Sequence, residues 1–156
     1  MSDPHEAEQG PLAQHRAFYE AVEAGDLDLM EALWVDSPST SCVHPGAEPL
    51  RGTDAVVRSW AMLMANVGYI QFFLTDVQVA WPLGPDSDLV VITCTENILS
   101  GEGVESAEQF AGGKAVCTAV LVRDGGPWRF WSRHASPVLD IDPDAPEEPG
   151  GEAMEP

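Results

Sequence analysis

Glu96 sits in the run from Leu89 to Leu99, where Val90, Ile92, Cys94 and Ile98 occupy every second position. Alternate side chains of an extended chain share a face, so if those apolar residues point inward, Glu96 points inward with them. Thr93, Thr95 and Asn97 then line the opposite face. The same period groups Trp128, Phe130, Ser132 and His134, and the bulk of Trp128 argues that their face is the inner one. Desolvation raises a carboxyl pKa and a neighbouring imidazolium lowers it, so Glu96 and His134 could exchange protons near neutral pH. The matching chemistry is cofactor-free proton transfer on an uncharged, apolar small molecule. A purely structural hydrogen bond between the two is the competing reading. His44, just before Pro45-Gly46, either satisfies a turn carbonyl or joins the other two at a shared pocket, giving His44, Glu96 and His134 as candidate catalytic residues. Two histidines and a carboxylate suit zinc or iron by type, but they come from separated segments without motif spacing, and no metal is expected. Cys42, Cys94 and Cys117 show no CxxC or Cys/His ligand spacing and read as reduced, buried small hydrophobes.

The elements that must position these groups follow from period and punctuation. Phe18, Ala21 and Val22 recur at helical spacing between about Pro11 and Ala24, and Gly25 stands where a helix C-terminus wants it. Asp26 can cap a second short helix carrying Leu29, Met30, Leu33 and Trp34. Ser41 to His44 reads as a short strand stopped by Pro45-Gly46. Gly52-Thr53-Asp54 opens a third helix, whose Val56, Trp60, Leu63 and Val67 share one face until Gly68. From Gln71 the period becomes two, predicting strands at 71–81, 89–99, 115–123 and 128–135. Helices first and antiparallel strands after argue for an α+β layer rather than a parallel α/β sheet.

A length of 156 residues predicts one domain. It is expected over residues 11–139, between a flexible N-terminus at 1–10 and an acidic, disordered tail at 140–156. The formal charge is -19. Asp140 to Pro156 holds seven acids and no base, and residues 11 to 139 hold sixteen acids against seven bases. Such a surface repels phosphate backbones and anionic lipid, so neither nucleic acid nor membrane is expected as a partner. No run reaches the roughly 18 apolar residues of a membrane span, and residues 1–10 carry no Lys, Arg or apolar stretch, which makes the cytoplasm the expected location.

Four stretches carry a resemblance together: Phe18-Tyr-Glu-Ala-Val-Glu-Ala-Gly-Asp-Leu, Cys42-Val-His-Pro-Gly, Gly52-Thr-Asp-Ala-Val-Val-Arg-Ser-Trp and Trp128-Arg-Phe-Trp-Ser-Arg-His-Ala-Ser-Pro. Over about residues 11 to 139 the chain resembles the nuclear transport factor two-like superfamily, in particular its SnoaL-like and ketosteroid-isomerase-like bacterial branch. The resemblance implies a cone-shaped half-barrel, a strongly curved, mostly antiparallel sheet wrapped around N-terminal helices. It also implies a pocket at the wide end and often a homodimer through the outer sheet face. Members include isomerases, dehydratases, cyclases, epoxide hydrolases and non-catalytic ligand-binding or assembly modules. His44 falls where similar isomerases place their carboxylate base. Phe18 falls at the isomerase tyrosine and Ala119 near its oxyanion acid, and neither can donate a hydrogen bond. Losing one such donor costs about a hundredfold or more in rate, so steroid-type isomerisation is not expected. Phe18, Trp60, Tyr69, Phe73, Trp128 and Phe130 are the expected ligand-binding walls.

Overall fold

The computed structural model describes residues 3–101 and 111–139. Helical structure begins earlier than the sequence pattern predicts, with α1 at Pro4–Ala7 and α2 at Gln9–Ala24, so the stretch expected to be flexible carries a helical turn. On α2, His15, Phe18, Tyr19 and Val22 form a stripe at spacings of three, one and three, and all four are buried. Gly25 ends the helix at φ 67°, and the backbone N–H of Asp26 bonds to Ala21 O at 2.9 Å. A side chain at that φ would be strained, which is why glycine closes the turn. Asp26 then caps α3 (Leu27–Ala32) by accepting from the Leu29 N–H at 3.1 Å. Two short strands, β1 (Ser41–Val43) and β2 (Leu50–Arg51), flank the Pro45-Gly46 turn; the second was not foreseen. The long helix α4 (Thr53–Asn66) presses Val56 and Trp60 into the core.

The remaining strands are β3 (Tyr69–Ala80), β4 (Leu89–Gly101), β5 (Ala111–Val122) and β6 (Arg129–Pro137). They form one curved, unclosed six-stranded sheet in the order β2-β1-β6-β5-β4-β3, antiparallel throughout except for the parallel pair β1 and β6. The α+β expectation is thus met. Two register shifts bend the sheet, one between Thr75 and Gln78 on β3 and one between Val120 and Leu121 of β5. Asp76 takes φ 51° at the first, a conformation that Asp tolerates better than most residues. A bulge adds one unpaired residue and increases local twist, which wraps the sheet toward the helices.

Phe18, Val22, Met30, Leu33, Trp34, Val56 and Trp60 from the helical side meet Cys42, Val90, Ile92, Ala119, Leu121 and Phe130 from the sheet. Burying a side chain the size of Phe18 or Ile92 stabilises by about 1.5–3 kcal/mol each. No described helix is long and apolar enough to cross a membrane. The expected tail at 140–156 and the connection between β4 and β5, residues 102–110, lie outside the described residues.

Candidate functional site

The second bulge decides which face of β6 looks inward. Val120 pairs with Ser132 and Leu121 pairs with Phe130, so Trp131 is left over between them. Simple alternation from Phe130 would carry Ser132 and His134 inward. The extra residue instead hands the inner positions to Arg133 and Ala135. Arg133 is 3% exposed and Ala135 is 1% exposed, while His134 is exposed on the outer face. This corrects the expected placement of His134: it does not share an interior with Glu96.

Arg133 occupies the position that alternation had given to the histidine, and it is ion-paired with Glu96 Oε2. Glu96 is inward-facing and 1% exposed. Its Oε2 also accepts a hydrogen bond from Tyr19 Oη at 2.6 Å. A buried pair of charges is tolerable only when its geometry is good and further hydrogen bonds fill the remaining valences, and Tyr19 supplies one. Arg133 sits over aromatic rings, with its guanidinium carbon 4.6 Å from the Phe18 centroid and 5.3 Å from that of Trp60. Burial works against the Arg133 cation, but the Cys117, Glu96, Tyr19 and Cys42 groups around it more than offset this and hold its pKa above the ordinary value. Burial raises the Tyr19 phenol, which keeps its proton and donates it.

His44 follows β1 and enters the same neighbourhood from the other side. Its ring lies 4.5 Å from that of Trp60, edge to face. Burial first, and the Arg133 cation second, lower its pKa, so the imidazole is neutral near neutral pH. Which nitrogen carries the proton follows from its partner. Ser59 Oγ donates its only hydrogen to Val56 O at 2.7 Å, and His44 Nε2 is 2.9 Å from the same oxygen. Ser59 therefore accepts, Nε2 carries the proton, and Nδ1 keeps a lone pair that no described residue engages. Trp60 Nε1 is buried without a hydrogen bond, and the Cys42 thiol beside it is a weak acceptor. The His44 imidazole and the Arg133 guanidinium thus pack against the same Trp60 ring.

The expected wall residues divide. Phe18 and Phe130 are fully buried and pack into the core as a tilted pair, with centroids 5.3 Å apart, and Trp60 lies between Phe18 and His44. Tyr69 and Phe73 do not join them. Phe72 is the inward residue of β3, its ring 5.0 Å from Tyr19, so Phe73 at 53% exposure and Tyr69, which donates to Gln71 Oε1 at 2.6 Å, occupy the outer face. Trp128 is buried against Trp81 and under Arg123. Clefts of about 290, 450 and 290 Å³ lie near Asp36, bordered by residues such as Arg129, Arg58 and Thr53, and none is lined by Glu96, His44 or Arg133.

Sequence reasoning missed Tyr19, Arg133 and Ser59. Tyr19 was legible in the helical stripe it shares with His15, Phe18 and Val22. Arg133 was hidden by a bulge that leaves no local signature, and Ser59 lies in the second turn of α4 with nothing in its type to single it out.

The SnoaL-like domain family model matches residues 12–140. Among solved structures, a protein from Streptomyces avermitilis, named as a candidate dehydratase of the nuclear transport factor 2-like family, is 41% identical. The match covers 87% of this chain and 99% of that one, at a TM-score of 0.78. A candidate calcium/calmodulin-dependent protein kinase type II association domain from Thiobacillus denitrificans is 30% identical over 83% of this chain and 95% of that one, at 0.64. A candidate scytalone dehydratase from Novosphingobium aromaticivorans shares the fold at a TM-score of 0.75 with 12% identity, covering 96% and 98% of the two chains. No curated protein matches the sequence.

Proposed function

Because the chain belongs to the SnoaL-like domain family, whose fold is a ligand-binding one, we propose that it binds a small apolar molecule on the concave side of its sheet. There it carries out cofactor-free general-base chemistry of the dehydratase, isomerase or cyclase kind. The observation that carries this reading is the state of His44, a neutral imidazole whose Nδ1 is unprotonated and unengaged among the described residues. Where a substrate hydroxyl lies β to a carbonyl, His44 Nδ1 takes a proton from the carbon between them, the C–O bond then breaks, and the departing hydroxide takes that proton from the imidazolium and leaves as water. Glu96 acts here as the fixed counter-ion of Arg133 rather than as a free acid or base. The 41% identical relative, named as a candidate dehydratase, supports the reaction class.

The test has two stages. Mass spectrometry of gently denatured protein identifies any copurifying small molecule, and that molecule or its hydroxylated precursors are then assayed for water loss. His44→Gln is expected to fold normally, keep the ligand and lose about 10²–10⁴-fold in turnover, the usual range for a general base. Unchanged turnover in His44→Gln would remove the base from the mechanism.

A second reading rests on a different observation. Phe73, Val116 and Trp131 are 53%, 47% and 38% exposed on the outer sheet face, and the 30% identical relative is named as an association domain. In that reading the outer face pairs with a second copy of the chain. The two readings are compatible, since they use opposite faces of the sheet.

A further inference from the structure

Cys94 and Cys117 face each other across β4 and β5 as direct register partners on the inner side of the sheet. Both are free thiols, and both are buried. Directly opposed residues of an antiparallel pair have Cα atoms about 4.5 or 5.5 Å apart, depending on the hydrogen-bonding pattern. Both values fall within the roughly 4.4–6.8 Å that a disulfide spans. Their Cβ atoms, about 4.5–5.5 Å apart in such pairs, need to approach by no more than about 1–2 Å to meet the disulfide range of roughly 3.5–4.5 Å. Cys42 has no such partner, because it faces Arg133 across the parallel pair of β1 and β6.

The surroundings of Cys94 distinguish it from the other two. The Tyr19 hydroxyl lies 3.6 Å from its sulfur. His15, whose Nε2 is buried without a hydrogen-bond partner among the described residues, adjoins the same thiol. Hydrogen bonding from Cys117, followed in effect by His15 and Tyr19, outweighs burial and lowers the Cys94 pKa, whereas burial raises that of Cys42. The thiolate is the nucleophile in thiol oxidation.

We infer that Cys94 and Cys117 form a peroxide-reactive dithiol site, Cys94 as the attacking thiol and Cys117 as the resolving one. The Cys94 thiolate attacks one oxygen of a hydroperoxide, forming an S–O bond and breaking the O–O bond. The departing alkoxide takes up the proton that Cys94 gave up and leaves as an alcohol, or as water when the oxidant is hydrogen peroxide. The Cys117 sulfur then attacks the sulfenic sulfur of Cys94, the S–S bond forms, the S–O bond breaks, and water leaves with the Cys117 proton. Two thiols are oxidised by two electrons and one peroxide is reduced. Hydrogen peroxide is little larger than water, so it can reach a buried pair that bulky thiol reagents cannot.

The experiment exposes the reduced, full-length chain to hydrogen peroxide, quenches it, and counts thiols in denaturant. The three cysteine thiols are expected to fall to one, with the intact mass lower by two hydrogen atoms. The peptides holding Cys94 and Cys117 should be linked, Cys42 alkylatable, and the product reversed by dithiothreitol. In Cys117→Ser, Cys94 is expected to stop at the sulfenic acid and be captured by dimedone once denaturant has opened the chain. Persistence of all three thiols, added oxygen at Cys94 in the wild-type chain, a linkage that includes Cys42, or a linkage between two chains would each overturn the proposal. The wild-type mass and peptide map decide the matter even if the variant does not fold.

Discussion

Arg133 and Glu96 are each almost fully enclosed, and neither tolerates the loss of the other. Removing Arg133 leaves a carboxylate without its counter-ion in a nonpolar interior, which typically costs about 3–5 kcal/mol. Arg133→Met is therefore expected to lose stability of that order in urea denaturation. The double variant Arg133→Met/Glu96→Leu should recover most of it, and a double variant as unstable as the single one would mean that the pair is not the cause. His44 gives a pH signature. Its folded pKa lies below the ordinary 6.5, so between the two values the unfolded chain binds the proton that the folded chain refuses. Stability from this residue is then complete above about 6.5 and declines as pH falls toward the folded value. A thermal-melt series from pH 7.5 to about 5 should show a steeper decline for the wild-type chain than for His44→Gln. Parallel curves would show that His44 is not held neutral.

The helix junctions are where local sequence does the most structural work. Asp26 accepts from the Leu29 N–H at the start of α3, and its replacement by Ala is expected to cost about 1 kcal/mol. Gly25 stands beside it at φ 67°, with nothing within 4 Å of where an alanine methyl would sit. Gly25→Ala therefore tests backbone strain without a steric clash, and about 1–2 kcal/mol is the expected loss. Chemical denaturation of both variants checks these values, and an unchanged midpoint in either would remove the corresponding cap from the account. At the sheet, the bulge at Trp131 is the element that matters for the site. It shifts the parity of β6, and Trp131 is held on the outer side by a hydrogen bond to Ser39 Oγ at 3.0 Å.

For the whole molecule, the two faces of the sheet have different fates. The concave face is covered by α2 and α4, while the convex face carries Phe73, Val116 and Trp131 in contact with solvent. If that face pairs with a second copy, light scattering coupled to size exclusion should report a dimer. Val116→Arg should convert it to a monomer with its helical and sheet content intact. A wild-type chain that stays monomeric at high concentration would count against self-association. The net charge of -19 opposes close approach of two copies, and screening by salt weakens that repulsion. The dimer fraction is accordingly expected to rise from low to moderate ionic strength.

What the sequence by itself determined is whatever depends on near neighbours along the chain. The helix stripe through Phe18 and Val22, the Gly25-Asp26 corner, the start of α4 at Gly52-Thr53 and the inward parity of Val90, Ile92, Cys94 and Glu96 were all readable, because each is set by a period or a cap within a few residues. The family resemblance was readable for the same reason, being carried by four such local stretches. Only the tertiary structure decided what Glu96 meets. Whether Arg133 or His134 faces inward depends on a one-residue slip against β5, and the energy that fixes the slip is the pairing and burial of strands distant in sequence. Phe72 rather than Phe73 turned inward for a like reason, since adjacent aromatics offer two parities of equal local merit. The lone pair on His44 Nδ1 was beyond sequence altogether: it follows from a hydroxyl on α4 already committed to a carbonyl of its own helix.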